Sequence, residues 1–419
     1  MIGLDGGWQA EVDHMGRELQ VLGKPVPSVP GENISLNLDI RLQKVATEAM
    51  QGESGAVIVM NPKTGEILAL ASFPDFDPNL FSGGIDQKSW NSLLANPEHP
   101  LENKAIQGLY APGSIFKVVT AYAGLDLGVL TPETERVCNG YYFIKGRSDP
   151  FKCWKEGGHG RVKLIDAIKG SCNVYFYNAG MSVGVDAIHK YASLFGLGKL
   201  TGVGLQNEKA GLIPNTKWKK RIFNEPWYLG ETPSTAIGQG FITTTPLQVI
   251  NMINILANDG MWMPPRIFKE QEGVRPEQIP LKKKYLSLIR EGMVAVVNSE
   301  GGTAKKVQFE EFTVAGKTAT SQVISNETLE TLDDEAKSSK IFQNHAWFVA
   351  FGPAEDPEIS VLALVEHGGG GSKAAAPVVR KILSYYIDNI YKPKNEQTLN
   401  NHIDSKNLNF SERLQIAFN

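Results

Sequence analysis

Residues 109–117 read Leu-Tyr-Ala-Pro-Gly-Ser-Ile-Phe-Lys and continue into an apolar segment. Pro112 and Gly113 interrupt the chain just before that segment, which predicts a helix whose first turn contains Ser114. Residues three positions apart lie on one face of a helix, so Ser114 and Lys117 are expected to be neighbours near the partly positive N-terminus. A buried lysine can lose its proton and act as a base towards a neighbouring hydroxyl group.

Two later segments carry polar residues in a related pattern. Ser171 and Asn173 are separated by one residue, and Lys317 is followed directly by Thr318 and, one residue further on, by Thr320. Ser-x-x-Lys, Ser-x-Asn and Lys-Thr-small motifs in this order are typical of serine enzymes that transfer acyl groups. A serine and a lysine near a helix start occur together by chance in many proteins, so the prediction rests on the three motifs together.

The first two motifs supply the predicted catalytic groups. Ser114 is the candidate nucleophile and Lys117 the candidate base. Ser171 can pass a proton to the leaving amine, while Asn173 can hydrogen-bond both Lys117 and a substrate amide. The backbone N–H groups of Ser114 and Thr320 are expected to form the oxyanion hole, because the serine opens a helix and a strand edge faces it.

The third motif is predicted to bind substrate. The positive charge of Lys317 is expected to help keep Lys117 neutral and to attract a carboxylate. Thr318 and Thr320 offer hydroxyl groups to that carboxylate. The predicted substrate is therefore an acyl compound that carries a nearby anion.

Length and composition limit the remaining choices. The chain has 419 residues, of which 42% are hydrophobic and 21% are charged, as in folded globular proteins. Its net charge of −3 gives no reason to expect a nucleic-acid partner. The sequence contains no apolar run near the ~18 residues that a bilayer span requires, and its first residues do not form a secretory signal.

The pattern of apolar residues predicts an α+β fold, with an antiparallel sheet flanked by helices plus an all-helical lobe. Strands are predicted towards both ends of the chain, at residues 34–38, 55–60, 66–72, 313–320, 346–351 and 359–366. The helical residues between the two groups would form the second lobe. Residues 321–344 are polar and acidic, which favours either a mobile flap or partner-contact loop beside the site, or a solvated disordered insertion.

Further motifs show a resemblance to a known family. Three segments resemble class B penicillin-binding proteins of the penicilloyl-serine transferase superfamily, at residues 61–70, 77–81 and 111–117. Others are similar to the elongation-specific, penicillin-binding protein 2 type, at residues 153–155, 158–160, 218–221, 226–230, 237–240 and 245–248. The resemblance covers roughly residues 11–390 and implies a serine β-lactamase/transpeptidase-like fold.

This resemblance implies a D,D-transpeptidase that crosslinks peptidoglycan stem peptides during cell elongation. Ser114 would attack the D-Ala-D-Ala bond, release D-Ala and pass the acyl group to an amine on a neighbouring stem. β-Lactams would acylate the same serine, and no cofactor is expected for catalysis. Proteins of this type are anchored by an N-terminal helix and work with a polymerising glycosyltransferase and scaffold proteins of the elongation complex.

The resemblance also implies a division of the chain. Residues 1–34 are expected to be the remnant of an N-terminal pedestal, residues 35–394 the transpeptidase domain, and residues 395–419 a C-terminal tail that frays. The membrane helix is expected to be missing from this chain, which would be the periplasmic domain of a protein anchored in the cytoplasmic membrane. Ala319 departs from the family pattern, which has glycine there; its methyl group is expected to crowd the substrate slightly and alter β-lactam affinity.

The cysteines predict a structural zinc site. Cys138, Cys153 and Cys172 are the only cysteines, and His159 lies between the last two. Three sulfurs and one imidazole form a recognised closed tetrahedral zinc set. Some penicillin-binding proteins of this type place a metal between the first two motifs, with ligands at positions similar to these four. Two alternatives remain, a Cys138–Cys153 disulfide and buried free thiols.

Two other functions share part of the motif pattern. A serine β-lactamase of the class D kind has Ser-x-x-Lys and Lys-Thr-Gly motifs, but it must hydrolyse its acyl-enzyme quickly. A β-lactam sensor domain is acylated once and does not turn over. The lifetime of a penicillin adduct and the ability to crosslink peptidoglycan separate these alternatives from a transpeptidase.

Overall fold

The central sheet is built from both ends of the chain. The computed structural model describes residues 3–270, 275–324 and 339–395. Five antiparallel strands lie side by side in the order β11 (Ala315–Ser321), β12 (His345–Gly352), β13 (Ile359–Val365), β3 (Gly55–Met60) and β4 (Ile67–Phe73). The predicted α+β class and the sheet drawn from the two ends of the chain are confirmed.

Helices cover both faces of this sheet. Every residue of β3 and β13 is buried, which requires packing on both faces of these apolar strands. The helices in contact with the sheet are α1 (Ile40–Ala49), α9 (Pro246–Ala257), α10 (Lys283–Asn298) and α11 (Ala375–Tyr386). Asp39 caps α1 by accepting hydrogen bonds from two backbone N–H groups, and Thr245 caps α9 in a capping box with Gln248.

A second lobe is mostly helical and carries two of the three motifs. Its central helix, α3 (Lys117–Asp126), is buried from Lys117 to Leu125. The other helices are α2 (Gln87–Ala95), α4 (Leu164–Lys169), α5 (Asn173–Val183), α6 (Val185–Leu194), α7 (Thr216–Phe223) and α8 (Thr232–Ala236). Helix α10 contacts α3 and α4 as well as β11, so it joins this lobe to the edge of the sheet.

Four short strand pairs lie outside the central sheet in the described part of the chain. β5 (Arg136–Cys138) pairs with β8 (Gly160–Val162), and β6 (Tyr141–Tyr142) pairs with β7 (Phe151–Lys152). Two further pairs are formed by β1 (Gly7–Val12) with β2 (Glu18–Val26) and by β9 (Met261–Trp262) with β10 (Glu277–Gln278). The β1–β2 hairpin is exposed along nearly its whole length.

The structure differs from the sequence-based expectation at residues 34–38, which do not form a strand. Leu36 makes a single bridge to Phe268, and the Asn37 side chain donates to the carbonyl oxygens of Arg266 and Phe268 at 3.2 Å each. The facing segment therefore pairs with this one at a single bridge only, so no strand forms, although the alternation of apolar and polar residues is typical of a strand.

Two other expectations concern the loop at residues 321–344 and the C-terminal tail. Residues 325–338 and 396–419, which make up most of both segments, lie outside the described residues. None of the described helices combines the length and the apolarity that a bilayer span requires.

Candidate active site

The nucleophile candidate lies on a tight turn against the edge of the sheet. Ser114 is half-buried in a short 3₁₀ helix, Gly113–Phe116, which leads directly into α3. Gly113 has a φ of 53°, in the left-handed region. A Cβ atom at Gly113 would lie 2.9 Å from the carbonyl oxygen of Thr320 and 3.3 Å from the Cβ of Ala319. The glycine therefore lets the serine turn approach β11 closely.

Lys117 is fully buried and connects the first motif to the second. Its Nζ donates hydrogen bonds to the carbonyl oxygen of Ser171 at 2.8 Å and to Asn173 Oδ1 at 2.7 Å, and it lies 3.1 Å from Ser171 Oγ. Burial lowers the pKa of the Lys117 amine to about 7. A large fraction of this lysine is therefore unprotonated at neutral pH, as a base requires.

The hydrogen bonds of Lys117 Nζ within the described residues do not include one to Ser114 Oγ. Catalytic hydrogen bonds often form fully only when substrate is bound. What the structure brings together before substrate arrives is the amine of Lys117 with the hydroxyl of Ser171 and the amide of Asn173.

The second motif is held on a turn by groups outside it. Ser171 has a φ of 53°, which is unusual for a residue other than glycine. The indole N–H of Trp154 donates to the carbonyl oxygens of Gly170 at 3.1 Å and Ser171 at 3.0 Å. Asn173 then begins α5 and donates through Nδ2 to the carbonyl oxygen of Lys152 at 3.3 Å. The turn thus aims both motif side chains at Lys117.

Lys317 is fully buried on β11, and its Nζ donates to the carbonyl oxygen of Thr318 at 3.1 Å. Burial, and after it the charge of Lys117, lower the pKa of Lys317 well below its usual value. The motif predicts that Lys317 helps to keep Lys117 neutral, but burial is the principal cause of the lowered pKa of Lys117. The charge of Lys117 disfavours a proton on Lys317.

The remaining residues of the third motif differ in exposure. Thr318 is 8% exposed and its hydroxyl lies 2.7 Å from that of Thr303, while Thr320 is exposed. The carbonyl oxygen of Thr320 accepts from Gln239 Nε2 at 3.1 Å. Ala319 is 3% exposed, and its methyl group faces the Gly113 turn. The methyl group therefore packs against the serine turn at the cavity wall, which Ala319 also lines, and its expected effect on substrate stays a prediction.

The three motifs line one cavity of about 870 Å³. Ser114, Ser171 and Asn173 line it together with Thr318 and Thr320. Lys117 and Lys317 are fully buried and are not among the residues that line the cavity. The arrangement can hold an extended acyl compound between a serine hydroxyl, a partly unprotonated amine and the edge of a strand.

The three cysteines and one histidine also come together, beside the second motif. The ligand atoms of Cys138, Cys153, His159 and Cys172 all lie within 4.8 Å of one another. His159 Nδ1 lies 3.6 Å from the sulfur of Cys138 and 3.5 Å from that of Cys153. All three cysteines are free, so the alternative of a Cys138–Cys153 disulfide is wrong.

Two distances in this cluster match those of a tetrahedral zinc site. Zn–S bonds of about 2.3 Å and Zn–N bonds of about 2.0–2.1 Å at a tetrahedral angle place sulfur and nitrogen about 3.6 Å apart, close to the 3.5 and 3.6 Å between His159 Nδ1 and two sulfurs. The other ring nitrogen of His159 lies 3.0 Å from the carbonyl oxygen of Gly170, the kind of contact that orients a metal-bound histidine.

Four residues of the site were not assigned a role from the sequence. Trp154 and Gln239 occur in segments that resemble the family, but nothing in the sequence indicated their contacts with Ser171 and Thr320. No motif or pattern in the sequence predicts a role for Thr303. Gly371 belongs to a glycine run, and a Cβ atom there would lie 2.6 Å from the carbonyl oxygen of Ala319. A glycine run after a buried strand indicates a close approach of two backbones and could have identified Gly371.

With this geometry established, comparisons with known proteins identify the family. Residues 55–384 match the penicillin binding protein transpeptidase domain. This chain belongs to the penicillin-binding protein transpeptidase family. The resemblance to class B penicillin-binding proteins of the penicillin-binding protein 2 type is confirmed by relatives that are similar over most of the chain.

One such relative is the peptidoglycan D,D-transpeptidase MrdA of Haemophilus influenzae, 36% identical over 397 residues, which are 92% of this chain and 61% of that protein. The chain thus spans about three fifths of the length of the curated relatives it matches.

Solved structures of similar proteins share the fold. PBP2 of Pseudomonas aeruginosa in complex with WCK 5153 is 35% identical, with a TM-score of 0.78 over 87% of this chain and 78% of that one. PBP2 of Helicobacter pylori in its complex with MreC is 33% identical, with a TM-score of 0.80 over 93% and 70% of the two chains.

Proposed function

We propose that this chain carries the catalytic domain of a peptidoglycan D,D-transpeptidase that forms a Ser114 acyl-enzyme. The observation that carries the proposal is the buried Lys117 amine, with its pKa near 7, which bonds Ser171 and Asn173 in the cavity that Ser114 lines. A structural lysine would instead be paired with an acid. The family membership and the relatives named as D,D-transpeptidases support the same function.

In the acylation step, the unprotonated amine of Lys117 accepts the Ser114 proton while Ser114 Oγ attacks the carbonyl carbon of D-Ala-D-Ala. The backbone N–H groups of Ser114 and Thr320 donate to the oxyanion that forms. The Ser171 hydroxyl, 3.1 Å from Lys117 Nζ, gives its proton to the departing amine and receives the Ser114 proton from Lys117, so D-Ala leaves and Lys117 is neutral again.

In the second half of the reaction, an amine from a neighbouring stem peptide attacks the acyl-enzyme. Its proton moves through Ser171 and Lys117 to Ser114 Oγ as the ester bond breaks, which restores the serine. Asn173 holds Lys117 through Oδ1 during both halves of the reaction. A new peptide bond then joins the two stems.

The third motif is proposed to hold the carboxylate end of the substrate. Thr318 and Thr320 offer hydroxyl groups at the cavity wall, and Lys317 lies directly behind them. A carboxylate brought next to Lys317 would raise its pKa and stabilise its protonated form. Substrate binding would thus supply the partner that makes this buried lysine charged.

The test is a mass measurement after incubation with benzylpenicillin. One adduct per chain, mapped to the peptide that contains Ser114 and absent from a Ser114→Ala variant, is the expected result. A folded wild-type protein that takes up no adduct would refute the proposal. Continuous hydrolysis of the penicillin would instead indicate a class D-like β-lactamase, and a stable adduct without any crosslinking of peptidoglycan would indicate a β-lactam sensor.

We further propose the cellular setting of this activity. Residues 35–394 would be the transpeptidase domain, residues 1–34 the remnant of a pedestal, and residues 395–419 a tail. The full protein would be held in the cytoplasmic membrane by an N-terminal helix, with this domain in the periplasm. Its partners would be a polymerising glycosyltransferase and elongation-complex scaffold proteins, in keeping with the complex of MreC with the similar protein of Helicobacter pylori.

The cysteine–histidine cluster is proposed to hold a structural zinc ion, while catalysis itself uses no cofactor. The sulfurs of Cys138, Cys153 and Cys172 and Nδ1 of His159 would be the ligands. A bound ion would fix the segment around Cys153 and Trp154, which supports the Ser171 turn. Metal analysis should find about one equivalent of zinc per chain, lost in Cys138→Ser. Less than a tenth of an equivalent in purified protein would refute the site.

A further inference from the structure

The mouth of the cavity carries an exposed arginine, Arg147. Arg147 lies in the loop between β6 and β7 and lines the cavity that contains Ser114. In the part of the chain that the structure describes, its guanidinium group makes no ion pair. The nearest negative group in sequence, Asp149, also lines the cavity, but it accepts a hydrogen bond from Ser148 at 3.2 Å instead. A charged group at a cavity mouth is thus left available.

The position of this guanidinium group is set by its neighbours. Its central carbon lies 4.7 Å from the centre of the Phe151 ring. A Cβ atom at Gly230 would lie only 3.4 Å from Arg147 Nη1, so the arginine reaches from the β6–β7 loop to the segment before α8. An arginine stacked on an aromatic ring keeps the N–H groups at its edge directed outwards, where they can bind a carboxylate at two points.

The loop that carries Arg147 is fixed to the catalytic residues. The carbonyl oxygen of Lys152, at the end of β7, accepts from Asn173 Nδ2 at 3.3 Å and from the Tyr177 hydroxyl at 3.1 Å. Arg147 is therefore positioned relative to the residues proposed to bind the substrate amide. The carboxylate at the other end of the substrate is proposed to bind on β11.

We propose that Arg147 binds a second carboxylate of the donor, carried on the acyl side of the scissile bond. The donor is then a peptide with two anions, the terminal carboxylate of D-Ala at β11 and a side-chain or branch carboxylate in one of the preceding residues at Arg147. This inference rests on the proposed function, because it takes the acyl-enzyme at Ser114 as given. It assigns Arg147 a role in substrate selection and none in the bond-forming steps.

Two penicillins form a matched pair of probes. Carbenicillin differs from benzylpenicillin by one carboxylate on the acyl side chain, which occupies the place of the residues that precede D-Ala-D-Ala. The second-order rate constant of acylation is measured for both compounds at low ionic strength, and the carbenicillin-to-benzylpenicillin ratio is calculated. Arg147→Gln should lower this ratio about tenfold, the effect of one charge-assisted hydrogen-bonded pair. Arg221→Gln removes an exposed charge outside the cavity and should leave the ratio unchanged.

The outcomes separate this inference from the proposed function. An equal or higher ratio in Arg147→Gln, with adducts still forming on Ser114, would overturn the role of Arg147 and leave the function standing. Absence of any adduct with either penicillin would overturn both. Peptides that end in D-Ala-D-Ala, with a preceding residue bearing either a free carboxylate or its carboxamide, should give the same loss of discrimination in Arg147→Gln.

Discussion

The two walls of the cavity are built differently. On the helical wall, Lys117 is tied by hydrogen bonds to Ser171 and Asn173 before substrate arrives. On the strand wall, Lys317 donates only to the carbonyl oxygen of its own neighbour, and the exposed Thr320 side chain has no hydrogen bond within the described residues. The difference indicates that the proton-transfer groups are assembled in advance, whereas Lys317 and Thr320 gain their remaining partners from the ligand.

The largest expected difference between the two walls is in the acylation rate of Lys117→Met. Removal of the base should slow acylation by benzylpenicillin about a thousandfold. Lys317→Met removes an equally buried amine, but one proposed only to attract the substrate, so acylation should slow about tenfold. Rapid-quench mass spectrometry measures both rates.

Thermal unfolding of both lysine variants serves as the control for folding, because each side chain is fully buried. Methionine preserves much of the volume and removes the costly buried charge. If the two variants lose the same activity, or if Lys317→Met loses more, the proposed difference between the two walls is incorrect.

The pH dependence of acylation provides a second test of the helical wall. The pKa of Lys117 is lowered to about 7 by burial, so the unprotonated base becomes more abundant as the pH rises through that value. From pH 5 to pH 8 the fraction of neutral lysine, and with it the acylation rate, should rise by about two orders of magnitude. A stopped-flow series with benzylpenicillin measures the profile. A flat profile, or a rate that falls as the pH rises over this range, would contradict Lys117 as the base.

The support of the helical wall can be tested through Trp154→Phe. This change removes the N–H group that donates to Gly170 and Ser171 and keeps an aromatic ring beside His159. Loss of about 1 kcal/mol of hydrogen bonding should slow acylation about fivefold. Trp218→Phe alters an aromatic cluster outside the cavity and should change the rate less than twofold. Equal changes of the acylation rate in the two variants would contradict the proposal that Trp154 supports the Ser171 turn.

The smallest expected effect is on the strand wall, at Ala319. Because its methyl group packs against the Gly113 turn, Ala319→Gly should alter acylation less than about threefold and lower stability by about 0.5–1 kcal/mol. Acylation kinetics and urea unfolding measure the two quantities. A tenfold faster acylation in Ala319→Gly would mean that the methyl group obstructs the ligand after all.

Much of the fold follows from local patterns in the sequence. The apolar runs of β3, β12 and β13 predict buried strands, and Asp39 and Thr245 predict the starts of α1 and α9 because their side chains cap backbone N–H groups. The convergence of three motifs follows from their chemistry, since none of them has a function alone.

The remainder depends on contacts between distant residues. The contact of Thr303 with Thr318 depends on how α10 packs beside β11, and no periodicity in the sequence encodes that packing. The left-handed conformation of Ser171 is imposed by surrounding groups such as Trp154 and runs against the ordinary preference of serine. Local patterns therefore failed where tertiary contacts decide the conformation.

The close backbone approach at Ala319 limits how such a protein can escape an inhibitor. A side chain at Gly113 would collide with the carbonyl oxygen of Thr320, and one at Gly371 with those of Trp347 and Ala319. Either change would move the strand edge, and this would impair both the natural reaction and the binding of the inhibitor. Drug-resistant variants are therefore expected at exposed positions of the cavity wall, where enlarging a side chain displaces no backbone.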